Sequence, residues 1–237
     1  MEEKTYTPMT QNLDVLDKID NFTNWVYQEI RPFITGNIFE IGSGRGTYSK
    51  KIIKDFTGNK IILSDIDQNY IKELGQFENK DVSILKVDIS CKEDFRNIKI
   101  PIDSAFALNV LEHIEDDVHA MNNIYDSLRI GGKFIILVPA HKFLFNCIDS
   151  SVGHCRRYTK NEIIAKVSKT KFKIKNLFYF NFLSIFGWYL NGHVFKKNVI
   201  NKSAACILDK LIPLLRIIEQ YILRKRIGIS IIVVLQK

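Results

Sequence analysis

The chain has 237 residues, of which 46% are hydrophobic and 25% are charged, proportions that exclude a disordered or fibrous protein and favour one large globular domain. The net charge of +8 is unevenly distributed, because residues 159–237 carry 15 Lys and Arg against 3 Asp and Glu, while residues 1–158 are slightly acidic. A basic tail on an acidic body suggests an anionic partner: nucleic acid, a lipid surface or a phosphorylated substrate.

The first two thirds of the chain alternate between helical and strand patterns. A helix is predicted over residues 11–31, where apolar residues recur at steps of three and four. The pattern then predicts strands at 37–41, 60–64, 82–87, 103–108 and 133–139, with helices between them that include 67–74 and 116–128. Such alternation indicates an α/β fold with a doubly wound, mostly parallel sheet of about seven strands.

The last third is more aromatic and more basic. A capping box, Thr159 to Glu162, predicts a helix start. A strand is expected at 172–178, helical segments at 182–195 and 203–223 with a kink or break at Pro213, and a terminal strand at 228–235. Nothing resembles a linker, so we expect a single domain with four parts: an N-terminal helical segment (1–35), a core (36–170), a basic aromatic elaboration (178–226) and a terminal strand (227–237).

Several classes of protein are disfavoured. The acidic, polar N-terminus is unlike a signal peptide, and the four cysteines contain no CxxC pair, so neither a disulfide framework nor a metal site is expected. Polar residues interrupt the most apolar stretch, 177–195, which falls short of a membrane span of about 20 residues. These features predict a cytoplasmic protein with reduced thiols.

Polar and small residues follow four successive predicted strands, where α/β sheets bind ligands. The first strand ends in a glycine-rich turn of pattern E-x-G-x-G-x-G, residues 40–46; Thr47 stands where a dinucleotide fingerprint would need glycine. Asp65 follows the second strand and can accept hydrogen bonds from ribose hydroxyls, Asp88 follows the third and can accept from an exocyclic amine, and Asn109 and Val110 follow the fourth.

Five segments, 38–46, 61–67, 85–90, 107–117 and 128–141, resemble the class I S-adenosylmethionine-dependent methyltransferases. The resemblance implies S-adenosylmethionine as cofactor and S-adenosylhomocysteine as product. It also implies a methionyl site in the glycine-rich turn, a ribose and adenine site after strands two and three, and a site near the sulfonium after strand four. The residues implied, in that order, are Glu40, Gly42, Ser43, Gly44 and Gly46; Asp65, Ile66, Asp88 and Ile89; Asn109 and Val110.

The acceptor side is expected after the fifth strand. Residues 153–158, Gly-His-Cys-Arg-Arg-Tyr, resemble a GHxRRY block found in a bacterial subset of these enzymes. A hydroxyl or ammonium acceptor needs a base, for which His154 is the first candidate, followed by His141 and Tyr158. The alternative is that His154 only packs against a lid while an arginine of the block pairs with Asp149. Glu112 and His113 are interpreted mainly as helix caps, and Arg45 as a surface residue.

The sequence therefore predicts methyl transfer to oxygen or nitrogen of a small or lipid-linked molecule, such as a glycolipid. Two other functions stay open: a non-catalytic, membrane-associated protein that binds the cofactor, and, with less support, a nicotinamide-dependent dehydrogenase. The basic aromatic elaboration is interpreted as a lid or a homodimer face, or else as a peripheral contact with an anionic membrane. A nucleic-acid partner is unlikely, since Asn109 to Glu112 do not match the motif of base-amine methylation.

Overall fold

The computed structural model describes residues 7–237 of the chain. Its sheet has seven strands: β1 (Ile38–Ile41), β2 (Ile61–Asp65), β3 (Val82–Lys86), β4 (Ile102–Leu108), β5 (Leu128–Pro139), β6 (Lys173–Phe180) and β7 (Ser230–Gln236). They lie in the order β3-β2-β1-β4-β5-β7-β6. Six strands share one direction, and β7 runs antiparallel between β5 and β6. The predicted fold class is confirmed.

Helices cover both faces of this sheet. They are α1 (Pro8–Leu16), α2 (Asp20–Ile30), α3 (Ser49–Asp55), α4 (Gln68–Leu74), α5 (Asp117–Ser127), α6 (Cys147–Ser151), α7 (Lys160–Val167), α8 (Ser184–Tyr189) and α9 (Lys202–Ile218). Short π-helical segments, Leu190–Val194 and Glu219–Leu223, extend α8 and α9. Along β5, Phe134 and Ile136 join the core on one face of the sheet while Ile135 joins the core on the other. This double burial explains the continuous apolar run in the sequence.

The N-terminal helical region differs from the prediction of one helix over 11–31. The structure has two helices, α1 and α2, separated by a turn at Asp17–Ile19. Ile19 adopts φ −113° and ψ 73°, outside the helical region. Val15, Ile19 and Val26 are nevertheless all buried, so the apolar period continues across the turn. A periodicity count therefore could not detect the break.

Two further boundaries differ from expectation. β5 begins at Leu128, five residues early, because an irregularity in its pairing with β4 lets Leu128 pair with Ile102 before regular register resumes at Lys133. A kink or a break was predicted at Pro213; the helix α9 continues through this residue, so there is no break. Pro213 lacks an N–H and leaves the carbonyl of Asp209 without its helical donor. Among residues 7–237, no helix is both long and apolar enough to cross a bilayer.

Candidate active site

The carboxyl ends of the central strands open into a cavity of about 1690 Å³. This volume exceeds the roughly 300–1,000 Å³ of an ordinary small-molecule site, which leaves room for two reactants. Ten of the eleven predicted cofactor contacts line the cavity, and Gly46 does not. The ten are Glu40, Gly42, Ser43, Gly44, Asp65, Ile66, Asp88, Ile89, Asn109 and Val110.

The glycine-rich turn after β1 depends on close backbone approach. Gly42 and Gly46 have φ of 68° and 79°, in the region that favours glycine. A Cβ at Gly42 would lie 2.5 Å from Cγ2 of Val110, and one at Gly46 would lie 2.6 Å from the ring of Phe77. Gly46 thus packs the turn against the domain, whereas Gly42 keeps the turn close to the loop after β4.

Asp65 fixes the turn to the end of β2. Its two carboxylate oxygens accept from the backbone N–H groups of Gly44, at 2.9 Å, and Asp67, at 3.0 Å. Burial raises the pKa of Asp65, and these N–H contacts oppose the rise. Each oxygen keeps a further lone pair, so the carboxylate can still accept from a ligand.

Glu40 lies beneath the same turn. The hydroxyl of Ser49, at the start of α3, donates to its carboxylate at 2.7 Å. Complete burial raises the pKa of Glu40 to about 8. The group is therefore mostly neutral at pH 7, and its contact with Ser49 ties β1 to α3 on either side of the turn.

The loops after β3 and β4 supply the next part of the wall. A carboxylate oxygen of Asp88 accepts from the backbone N–H of Ser90 at 2.8 Å. Ile89 is buried, whereas Ile66 is 57% exposed and projects from its strand end. Asn109 has φ 55°, a left-handed conformation that asparagine adopts more readily than most residues. One apolar side chain from each of two strand ends thus flanks the polar groups.

Of the three predicted bases, His154 alone lines the cavity. Tyr158 is buried in the core, where its hydroxyl contacts the carbonyl of Leu111 at 3.1 Å and the carboxylate of Asp117 at 2.8 Å. Burial raises the pKa of Tyr158 far above its ordinary value. His141 stacks on Tyr179, with ring centroids 5.0 Å apart, away from the cavity wall. The structure therefore does not bring His141 or Tyr158 to His154.

His154 belongs to a cluster of buried ionisable groups. Its Nδ1 lies 2.8 Å from a carboxylate oxygen of Asp149, which also accepts from Nε of Arg157 at 2.9 Å. Its Nε2 lies 3.7 Å from an oxygen of Glu112. His113 packs edge-to-face on the His154 ring, with centroids 4.8 Å apart. A carboxylate on Nδ1 holds the imidazole in one tautomer. The pairing of Arg157 with Asp149 is the contact expected under the alternative in which His154 only packs against a lid.

Glu112 was missed by sequence reasoning, which interpreted it as a helix cap. The cap of α5 is Asp116, whose side chain accepts from the N–H of His119 at 2.9 Å. Glu112 is fully buried, and burial raises its pKa to about 8. A single sequence contains no pattern that predicts such a residue. Glu112 is packed against the loop at residues 152–158, which lies far from it along the chain.

The two ends of the described chain close over the cavity. Arg45 of the glycine-rich turn pairs with Asp14 of α1 and with Asp17, whose carboxylate also accepts from the hydroxyl of Thr47 at 2.8 Å. Arg45 is therefore not the surface residue that was expected. Side chains of α8 and α9, including Trp188 and Leu208, also line the cavity. The basic aromatic elaboration is thus part of the cavity.

Buried carboxylates join the elaboration to the N-terminal helical segment and connect its own parts. Asp209 of α9 accepts from the backbone N–H of Phe22 at 2.8 Å and of Asn21 at 3.2 Å, at the N-terminus of α2. Glu219 accepts from the N–H of Asn181 and of Phe182, both at 2.8 Å. These bonds satisfy donors that a helix start and a strand end leave free, and they position α9 over the cavity.

Comparison with known proteins agrees with this architecture. Residues 39–134 match the family model of a methyltransferase domain. A malonyl-[acyl-carrier protein] O-methyltransferase of Ilyobacter polytropus is 25% identical over 178 residues, which cover 72% of this chain and 63% of that protein. The chain therefore spans less than two thirds of the length of this relative.

Solved structures share the fold. A putative methyltransferase of Haloferax volcanii, in complex with the Trm112 activator, aligns with a TM-score of 0.62 at 12% identity, covering 97% of this chain and 96% of that one. An S-adenosylmethionine-dependent methyltransferase of Mesorhizobium loti aligns with a TM-score of 0.61 at 11% identity, covering 92% and 100%. Residues 39–134 therefore match a methyltransferase domain, and the chain shares the Rossmann-like fold of solved S-adenosylmethionine-dependent methyltransferases.

Proposed function

We propose that the protein is an enzyme that transfers a methyl group from S-adenosylmethionine to oxygen or nitrogen of a small or lipid-linked acceptor. The observation that carries the proposal is a single cavity that holds both ten predicted cofactor contacts and the imidazole of His154. The domain match supports this reaction over a nicotinamide-dependent dehydrogenation. We also propose a cytoplasmic location, as expected from the sequence.

The residues at the strand ends suit this cofactor. Asp65 offers free lone pairs to ribose hydroxyls, and Asp88 offers a carboxylate to the adenine amine. Ile66 and Ile89 provide apolar contacts for the base, and the turn at Gly42–Gly44 lets a ligand approach the backbone. When bound, the cofactor supplies a methyl group activated by its attachment to a sulfonium.

On the acceptor side, His154 is proposed as the base. Asp149 accepts from Nδ1, which leaves the lone pair on Nε2 free to take a proton. His154 would accept the proton that the acceptor loses as its oxygen or nitrogen bonds to the methyl carbon, while the electrons of the broken C–S bond remain on sulfur. Holding the two reactants in line in a cavity closed by α1 and α9 would supply much of the rate enhancement.

The class of acceptor is inferred from the surface of the elaboration. An exposed apolar stripe runs along α9 and its π-helical extension: Ile207, Leu211, Leu214, Ile217, Tyr221 and Ile222. The basic residues Lys202, Lys210, Arg224 and Arg226 are exposed on the same segment. Apolar side chains beside cations suit an anionic bilayer surface, so we infer peripheral membrane contact and a lipid-linked acceptor. The O-methyltransferase relative favours oxygen as the acceptor atom.

Calorimetry tests the cofactor. The protein is expected to bind S-adenosylhomocysteine and not NAD; binding of NAD alone would contradict the proposal. A labelled-methyl screen against sugar nucleotides, polyprenyl glycolipids and small amines would then identify the acceptor. Tight binding of S-adenosylhomocysteine with no turnover on any of these acceptors would favour the non-catalytic alternative.

Sedimentation with vesicles tests the surface. Vesicles of phosphatidylglycerol and phosphatidylcholine should bind the protein at low salt, and vesicles of phosphatidylcholine alone should not. Leu214→Glu should abolish binding, whereas Ile130→Glu, at an exposed apolar position on β5, should not. A concentration-dependent dimer that Leu214→Glu dissociates, without vesicle binding, would assign the stripe to a homodimer instead.

A further inference from the structure

Three ligand-type side chains converge on the acceptor side of the cavity. Glu112, His113 and His154 each place one ligand atom within 4.8 Å of those of the other two. A backbone hydrogen bond holds them near one another. The N–H of Cys155 donates to the carbonyl of Glu112 at 2.8 Å and joins the loop at 152–158 to the loop after β4. His113 and His154 both line the cavity.

Both imidazoles have the same arrangement of partners. Nδ1 of His113 lies 3.2 Å from the carbonyl oxygen of Gly153, and Nδ1 of His154 lies 2.8 Å from Asp149. Each partner is an acceptor, so each Nδ1 carries the hydrogen and each Nε2 keeps a lone pair. A carbonyl or carboxylate on the far nitrogen is the usual second shell of a metal-bound histidine. Both rings are therefore oriented as ligands.

Glu112 is the third candidate ligand. It is fully buried, and neither carboxylate oxygen has a hydrogen-bond partner in any other residue that the structure describes. The nearby guanidinium of Arg157 is already bonded to Asp149 and to the carbonyl of Ala140. A buried carboxylate without a partner is costly, and such groups pair with cations or coordinate metals.

We propose that Glu112, His113 and His154 bind one divalent transition-metal ion in the wall of the cavity. Two imidazoles and one carboxylate suit Zn²⁺, Co²⁺, Mn²⁺ or Fe²⁺ better than Mg²⁺ or Ca²⁺. Tetrahedral coordination at about 2.0–2.1 Å separates ligand atoms by about 3.3 Å, so the cluster must contract by at most about 1.5 Å. Rotation of side chains on fixed loops can supply this movement.

Three protein ligands leave coordination positions open, as in catalytic rather than structural metal sites. The role of the ion in catalysis rests on the proposed function: an acceptor oxygen could bind at an open position and become more acidic. With the ion bound, Nε2 of His154 would be a metal ligand instead of the base, and the acceptor oxygen would lose its proton to water before it bonds to the methyl carbon. The expectation of no metal site rested on cysteine spacing and did not consider these residues.

Metal binding can be measured without turnover. Protein without an affinity tag is treated with EDTA, dialysed and titrated with Zn²⁺ and Co²⁺ by calorimetry, and the stoichiometry is measured by elemental analysis. One ion per chain is expected, and Co²⁺ should give the visible absorption of a coordinated ion. Glu112→Gln and His113→Ala should each weaken binding at least 100-fold. The matched control His119→Ala, at an exposed position on α5, should bind as the unaltered protein does.

The proposal is overturned if the folded protein binds none of these ions stoichiometrically, or if Glu112→Gln binds them unchanged. The second outcome would indicate that Glu112 is simply protonated. Circular dichroism shows whether each variant is folded. If one variant fails to fold, the metal titration of the unaltered protein still decides the proposal. Titration with S-adenosylhomocysteine in parallel separates the two proposals: its binding without metal binding would remove only the metal site.

Discussion

The two sides of the cavity are held in place by different kinds of hydrogen bond. On the cofactor side, the carboxylates of Asp65 and Asp88 accept from backbone N–H groups at strand ends. On the proposed acceptor side, the contacts of Asp149, Arg157 and His154 are mostly between buried side chains, and Glu112 accepts no hydrogen bond from any other described residue. The proposed cofactor side is thus held by backbone donors near the strand ends, whereas the proposed acceptor side is held mainly by contacts between side chains.

The largest expected effect is on the acceptor side. His154→Ala should lower turnover about 10²–10⁴-fold, whether His154 serves as base or as metal ligand. Affinity for S-adenosylhomocysteine, measured by calorimetry, should stay nearly constant, because His154 is no part of the strand-end wall. His119→Ala is the control. Unchanged turnover would remove His154 from the mechanism.

The matching change on the cofactor side is Asp65→Asn. It should weaken S-adenosylhomocysteine binding roughly 10–100-fold, because an amide accepts less strongly than a carboxylate and its NH₂ group faces the N–H of Gly44 or Asp67. Asp81→Asn, at an aspartate paired with Lys60 and outside the cavity lining, should bind normally. Equal affinity in both variants would show that Asp65 does not contact the ligand.

Glu40 gives the cofactor side a pH dependence. Its pKa is about 8 in the folded protein against an ordinary 4.5, so the folded state holds a proton that the unfolded state has lost. Its contribution to the unfolding free energy should therefore fall as pH rises from about 4.5 to 8 and then level off. Glu40→Gln should remove this pH-dependent fall in the unfolding free energy, because glutamine does not titrate.

Urea unfolding at pH 5 and pH 8 measures the effect. The stability of Glu40→Gln relative to the unaltered protein should rise between these pH values by an amount of the order of a few kcal/mol. Glu78→Gln, at an exposed position, should show no such change. The same relative stability at both pH values would contradict the buried, neutral Glu40.

The smallest expected effect tests the junction of the two sides. Gly42→Ala should destabilise the protein by about 1–3 kcal/mol, because the added Cβ meets Val110 at 2.5 Å and φ is positive. Adding Val110→Ala should recover part of this loss in a double-mutant cycle. Gly44→Ala, with φ 52° but open space at its Cβ, should cost less. Strict additivity of Gly42→Ala and Val110→Ala would show that the two residues are not coupled.

The sequence predicted the site residues that directly follow strands of the sheet. Asp65 and Asp88 could be aligned because parallel strands end at one edge, so the end of each apolar run locates both. The turn at Asp17–Ile19 was missed because burial keeps the same period on either side of it. Glu112 and Arg45 were missed because their surroundings come from the loop at 152–158 and from α1, and contacts across such distances leave no local pattern.

The position of β7 has a consequence for the folding of the chain. This strand pairs along seven residues with β5 and along seven with β6, so without it both neighbours would present unpaired edges. Its own central run, Ile231–Leu235, is uninterrupted and uncharged, with the β-branched composition that favours self-association of extended chains. Until β7 inserts between β5 and β6, all three strands have unpaired edges that can bond to strands of other molecules. Aggregation therefore competes with completion of the sheet.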